Sequence, residues 1–74
     1  MKYDKIYNKT IEELLELATV LMQQQNKQQS KDYTLEIIDE IGDVYAWLGE
    51  FSKRFDKKKI DARIAYKLKS YNIK

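Results

Sequence analysis

Two sets of carboxylates in this 74-residue chain stand at spacings that could hold a hard cation. Glu12, Glu13 and Glu16 make the first set, and Glu36, Asp39, Glu40 and Asp43 the second. Residues three and four apart share one side of a helix, so Glu13/Glu16 and Glu40/Asp43 can each present two carboxylates in one direction. Glu36/Glu40 and Asp39/Asp43 are like-charged pairs at i,i+4, each unfavourable by about 0.2–0.5 kcal/mol. No Lys or Arg lies between Tyr33 and Ser52 to relieve them. Four oxygen ligands from two facing helices suit one or two Mg²⁺, with Mn²⁺ as a substitute; Mg²⁺ commonly keeps waters and binds through carboxylates and substrate phosphates. The competing reading is a solvated acidic face.

The elements that must position these groups are helical. Ile11, Leu14, Leu15, Leu17, Ala18, Val20, Leu21 and Met22 predict a helix over about residues 11–27. They cover more than half of its circumference, which fits a helix packed between two layers. Glu13 falls inside that apolar arc and Glu16 at its edge, where an unpaired carboxylate is costly. Thr10 followed by Glu13 is a capping-box pattern that would start this helix at Ile11; alternatively the helix begins earlier and runs through Thr10. Tyr3, Ile6 and Tyr7 allow a short amphipathic turn within residues 1–9.

Ile37, Ile38, Ile41, Val44, Tyr45, Leu48 and Phe51 predict a second helix over about residues 34–54, capped by Asp32 or Thr34. Gly42 and Gly49 lie inside it and each costs about 1 kcal/mol relative to Ala, which suggests close helix approach or access for a ligand. Trp47 falls on its acidic side, where it either packs at an interface or stacks on a base. Residues 23–32 are a Gln-rich connection. Asp56 is placed to cap a third helix over about residues 57–71, with a narrow stripe of Ile60, Ile64, Leu68 and Tyr71 flanked by Arg63 and Lys67.

Composition narrows the chemistry. The chain has no Cys, His or Pro, which excludes disulfides, thiolate or imidazole metal sites and histidine-assisted nucleophiles. No apolar run approaches the roughly 20 residues of a membrane span, and the first residues have no apolar signal core, so a cytoplasmic location is expected. The net charge of +2 is unevenly spread: residues 32–52 carry −6 and residues 53–74 carry +7. Such a distribution suits either a basic tail for polyanions or a site where cation and phosphate meet. Lys53, Arg54, Lys57, Arg63 and Lys67 are the candidates for phosphate oxygens, with solvated, solubilising roles as the alternative. Nucleic acid is an unlikely partner by charge: no helix-turn-helix pattern accompanies the tail, and the adjacent acidic segment opposes binding.

Glu12-Glu13-Leu14-Leu15-Glu16 and Glu40-Ile41-Gly42-Asp43, with 23 residues between them, resemble the paired EExxE and ExxD motifs of MazG-like, all-α nucleoside triphosphate pyrophosphohydrolases. The resemblance extends through Val44 and covers roughly residues 5–70. It implies Mg²⁺-dependent cleavage of the α–β phosphate bond of an NTP or dNTP, giving a monophosphate and pyrophosphate. By position, Glu13, Glu16, Glu40 and Asp43 would be the metal ligands, and Glu12 would stand behind them or orient water. Arg63, Lys67 and Trp47 are the weaker substrate-binding candidates. The chain is shorter than relatives that close extra helices over the base, so a partner subunit is expected to complete the pocket.

The expectation is therefore a single all-α domain over residues 1–74, a three-helix chain of the MazG-like type that oligomerises, as a homodimer or homotetramer, into a four-helix-type bundle. Its expected activity is that of a magnesium-dependent nucleotide pyrophosphohydrolase. The rival is a non-catalytic nucleotide-binding or regulatory protein on the same scaffold.

Overall fold

The computed structural model describes residues 3–26 and 31–72. The described residues form three helices and no strand: α1 (Lys5–Gln25), α2 (Thr34–Ser52) and α3 (Lys57–Ser70). None of them is long and apolar enough to cross a membrane.

Of the two starts the sequence allows, the earlier one that runs through Thr10 is observed: α1 begins six residues before Ile11, because Asp4 and not Thr10 is the N-cap. Asp4 Oδ1 accepts from the Tyr7 N–H at 3.1 Å, which satisfies one of the unpaired donors of the first turn. Thr10 lies inside the helix, where its hydroxyl reaches the Ile6 carbonyl at 2.7 Å and the Trp47 carbonyl of α2 at 3.3 Å. The capping-box pattern is thus not used as a cap. α1 ends at Gln25, so the Gln-rich connection is helical at its start, and residues 27–30 lie outside the described residues. The α2 N-cap position is Tyr33, without a side-chain bond. Asp32 Oδ1 instead holds the Thr34 N–H at 3.0 Å and the Thr34 hydroxyl at 2.6 Å. Asp56 caps α3 as expected, accepting from the Lys58 N–H at 2.9 Å.

α1 and α2 pack antiparallel, and their register can be read from four pairings. Arg54 grips Asp4 with two bonds of 2.7 and 2.9 Å. Tyr7 meets Phe51 edge-on at 5.4 Å between ring centroids, Thr10 meets the Trp47 carbonyl, and Glu13 approaches Asp43 and Glu40. Each step of three or four residues up α1 matches a similar step down α2, so the pairing that closes the chain's ends also sets where the acids meet.

The protomer is open. Val44 is its buried hydrophobic residue, accompanied by the polar Thr10 and Glu13. α1 packs against α2 on one side only and leaves Leu14, Leu15, Leu21 and Met22 exposed. α3 buries no residue. The radius of gyration is 15.2 Å, against about 11 Å for a compact chain of this length. A Cβ at Gly42 or Gly49 would meet nothing within 4 Å, so close helix approach within the protomer explains neither glycine.

The Arg54 guanidinium, followed by the Tyr7 N–H, holds the Asp4 carboxyl down at about 2. Its folded value lies below the ordinary one, so the stabilisation is present above the ordinary carboxylate range and is lost as pH falls through about 2. Asp4→Asn keeps a capping side chain but loses the Arg54 ion pair, and should lower the melting temperature at pH near 7 by a few degrees. The gap from wild type should narrow on acidification toward pH 2; circular dichroism melts check both.

Candidate metal centre

Glu13 is the most enclosed carboxylate on the α1–α2 seam, with 6% of its surface exposed. Its Oε2 has no hydrogen-bond partner among the described residues, and neither does Oε2 of the half-buried Glu40. Unpaired buried carboxylate oxygens are expensive, because water's hydrogen bonds have been removed and nothing replaces them. Oxygens of Glu13, Glu40 and Asp43 lie within 4.8 Å of one another, as do those of Glu12, Glu13 and Glu16. The four expected ligands therefore do not form one square: together with Glu12 they make two overlapping triplets that share Glu13. Asp43, Glu16 and Glu12 are exposed at the rim.

Burial raises the Glu13 pKa, and the charges of Glu16 and Asp43 raise it further. Lys9 opposes them. Its Nζ lies 3.0 Å from Glu12 Oε1 and 3.7 Å from Glu13 Oε1, the latter longer than a hydrogen bond. The Glu12 contact, chiefly, raises the Lys9 pKa and keeps it charged. The same ammonium lies 5.9 Å from the centroid of the Trp47 ring. Trp47 is half-buried beside the acids, and its backbone carbonyl receives Thr10.

The basic candidates lie elsewhere. Arg54 is committed to Asp4, Lys53 to Glu50 at 3.0 Å and Lys57 to Asp61 at 2.7 Å. Ion pairs within the chain thus occupy three residues expected to reach phosphate. Arg63 lies over the Tyr66 ring at 4.8 Å and Lys67 over the Tyr71 ring at 4.6 Å, both on α3. The structure pairs neither of them with the acidic cluster among the described residues. Glu36 pairs with Lys31 at 3.5 Å and is peripheral.

Lys9 is the site residue that the acidic motifs alone do not mark. The signal was present, since Lys9 precedes Glu12 by three and Glu13 by four, the spacing at which helix charges meet.

Chemically, the cluster offers carboxylate oxygens only, the donor set of Mg²⁺ or Mn²⁺. One resident cation, Lys9, touches its edge. Compared with protein-family models, with curated proteins and with solved structures, the chain matches none.

Because the folded-state pKa of Glu13 is raised, its contribution to stability is fully present below its ordinary value near 4.5 and is lost as pH rises through the raised one. Glu13→Gln should therefore raise the melting temperature of metal-free protein at neutral pH, by about 5 °C. The gain should disappear below the ordinary glutamate range, and melts in chelator-treated buffer at several pH values measure it.

Proposed function

We propose that this chain is a Mg²⁺-dependent nucleoside triphosphate pyrophosphohydrolase of the MazG-like type. It would cleave an NTP or dNTP between the α and β phosphates, with its protomers joined into a four-helix-type bundle and acting in the cytoplasm. The observation that carries this proposal is the enclosed Glu13 carboxylate, which has one unpartnered oxygen and is grouped within 4.8 Å with carboxylate oxygens of Asp43 and of Glu40, itself with one unpartnered oxygen.

The residues present fit a divalent cation. Glu13, Glu40 and Asp43 would hold it from both helices, with Glu16 at its open side. Bound there, Mg²⁺ offsets phosphate charge and lowers the pKa of a coordinated water. Glu12, at the outer edge, would orient the attacking water or take its proton. Lys9, already beside Glu12 and Glu13, is a donor for a non-bridging phosphate oxygen. Trp47 supplies an aromatic ring at the same edge for the base. Arg63 and Lys67 remain candidates only if α3 of a neighbouring copy approaches.

The test is a panel of NTPs and dNTPs with Mg²⁺, read as pyrophosphate released. Wild type should release pyrophosphate from at least one of them, and the Glu40→Gln, Asp43→Asn double variant should be slower by about 100-fold or more. Equal release by the two proteins would contradict the enzyme and leave the non-catalytic binding protein.

A further inference from the structure

Glu13 belongs to both carboxylate triplets, and the two are not equally open to an ion. Glu13, Glu40 and Asp43 join α1 to α2 across the seam, whereas Glu12, Glu13 and Glu16 lie within α1. The seam triplet contains both carboxylates that keep an unpartnered buried oxygen, Glu13 and Glu40. The α1 triplet already has a cation. Lys9 Nζ stands 3.0 Å from Glu12 Oε1 and 3.7 Å from Glu13 Oε1.

We propose that Lys9 takes the place of a second metal ion, so that the centre accepts one divalent cation per chain, at Glu13, Glu40 and Asp43. This rests on the metal-dependent function proposed above and adds to it the number of ions and the residue that sets it.

The first support is the way Glu13 is divided. In two-metal sites the ions stand about 3.5–4 Å apart, and the residue common to both triplets is the one that would bridge such a pair. Lys9 engages one oxygen of Glu13 and leaves the other, Oε2, without a partner. One side of the bridge is therefore taken by an ammonium.

The second support is how the ammonium is held. Lys9 precedes Glu12 by three and Glu13 by four, so the helix itself brings it to the α1 triplet. The Glu12 contact, with the charges of Glu13 and Glu16 behind it, favours its charged form. The Trp47 ring, 5.9 Å from Nζ, offers a further face suited to a cation. A divalent ion entering the α1 triplet would meet this positive charge at close range. The third support is solvation. Glu12 and Glu16 are exposed, so water already satisfies them, and an ion gains less there than at Glu13 and Glu40, where water is excluded.

The substitution has a chemical consequence. Lys9 can meet a phosphate oxygen as a second ion would, but an ammonium has no coordination position for water.

Counting bound Mn²⁺ by equilibrium dialysis of the full chain tests this, with circular dichroism run beside it to show that helicity is kept. Wild type and Lys9→Arg should each bind one Mn²⁺ per chain. Lys9→Met and Lys9→Gln should each bind two, and adding Glu16→Gln to Lys9→Met should return the count to one. Two ions on wild type would overturn the proposal and leave the enzyme standing. So would a count of one on both uncharged variants of Lys9. No bound Mn²⁺ on any of these proteins would remove the metal-dependent function as well, so the wild-type count tells the two failures apart.

Discussion

One carboxylate governs this small fold. Glu13 sits on the seam between α1 and α2 and is, with Thr10 and Val44, one of the described residues most removed from water. A seam this short normally excludes an unpaired acid, since desolvation of a carboxylate outweighs what a few apolar contacts return. Here the register makes the cost worse. The pairing of Asp4 with Arg54, Tyr7 with Phe51 and Thr10 with the Trp47 carbonyl leads, one turn further on, to Glu13 opposite Glu40 and Asp43. The contacts that hold α1 to α2 are the same contacts that force like charges together. The cation we propose removes that conflict; Lys9 relieves it only in part, from the edge.

The second consequence of so thin a seam is that the protomer has little interior. α1 presents apolar residues over most of its circumference, yet α2 covers only one side of it. α3 buries no residue, and Ile60 alone of its stripe is half-buried. Chains of this size sit near the limit at which a single core is stable alone. The joining of protomers and the ion at Glu13, both proposed above, therefore answer the same deficit. One supplies missing apolar contacts, the other a missing counter-charge.

Much of this was legible in the residues. Helical spacing placed α2 and α3 to within about two residues, because each has a continuous stripe, and α3 also has a working cap in Asp56. The inward phase of Glu13 followed from its position among Ile, Leu and Val side chains. What misled was Thr10-x-x-Glu13, a pattern that is local and therefore blind to α2. Tertiary contact gave the Thr10 hydroxyl a place inside the helix and passed the capping role to Asp4. The Arg54–Asp4 pair was not legible for a related reason: the partners lie fifty residues apart, and no local spacing reports such a pair. Lys9 was within reach of i,i+4 reasoning, since it stands three residues before Glu12 and four before Glu13. The grouping of Glu13 with Glu40 and Asp43, apart from Glu12 and Glu16, depends on interhelical distance, which periodicity does not contain.

The most direct measurement of the central claim is the thermal stability of the protein as a function of Mg²⁺ concentration at constant ionic strength and neutral pH. If Glu13, Glu40 and Asp43 hold a divalent cation, the melting temperature of wild type rises with the logarithm of Mg²⁺ concentration once the site begins to fill, and Glu13→Gln abolishes the dependence. A wild-type melting temperature that does not respond to Mg²⁺, or one that responds equally in Glu13→Gln, would contradict it.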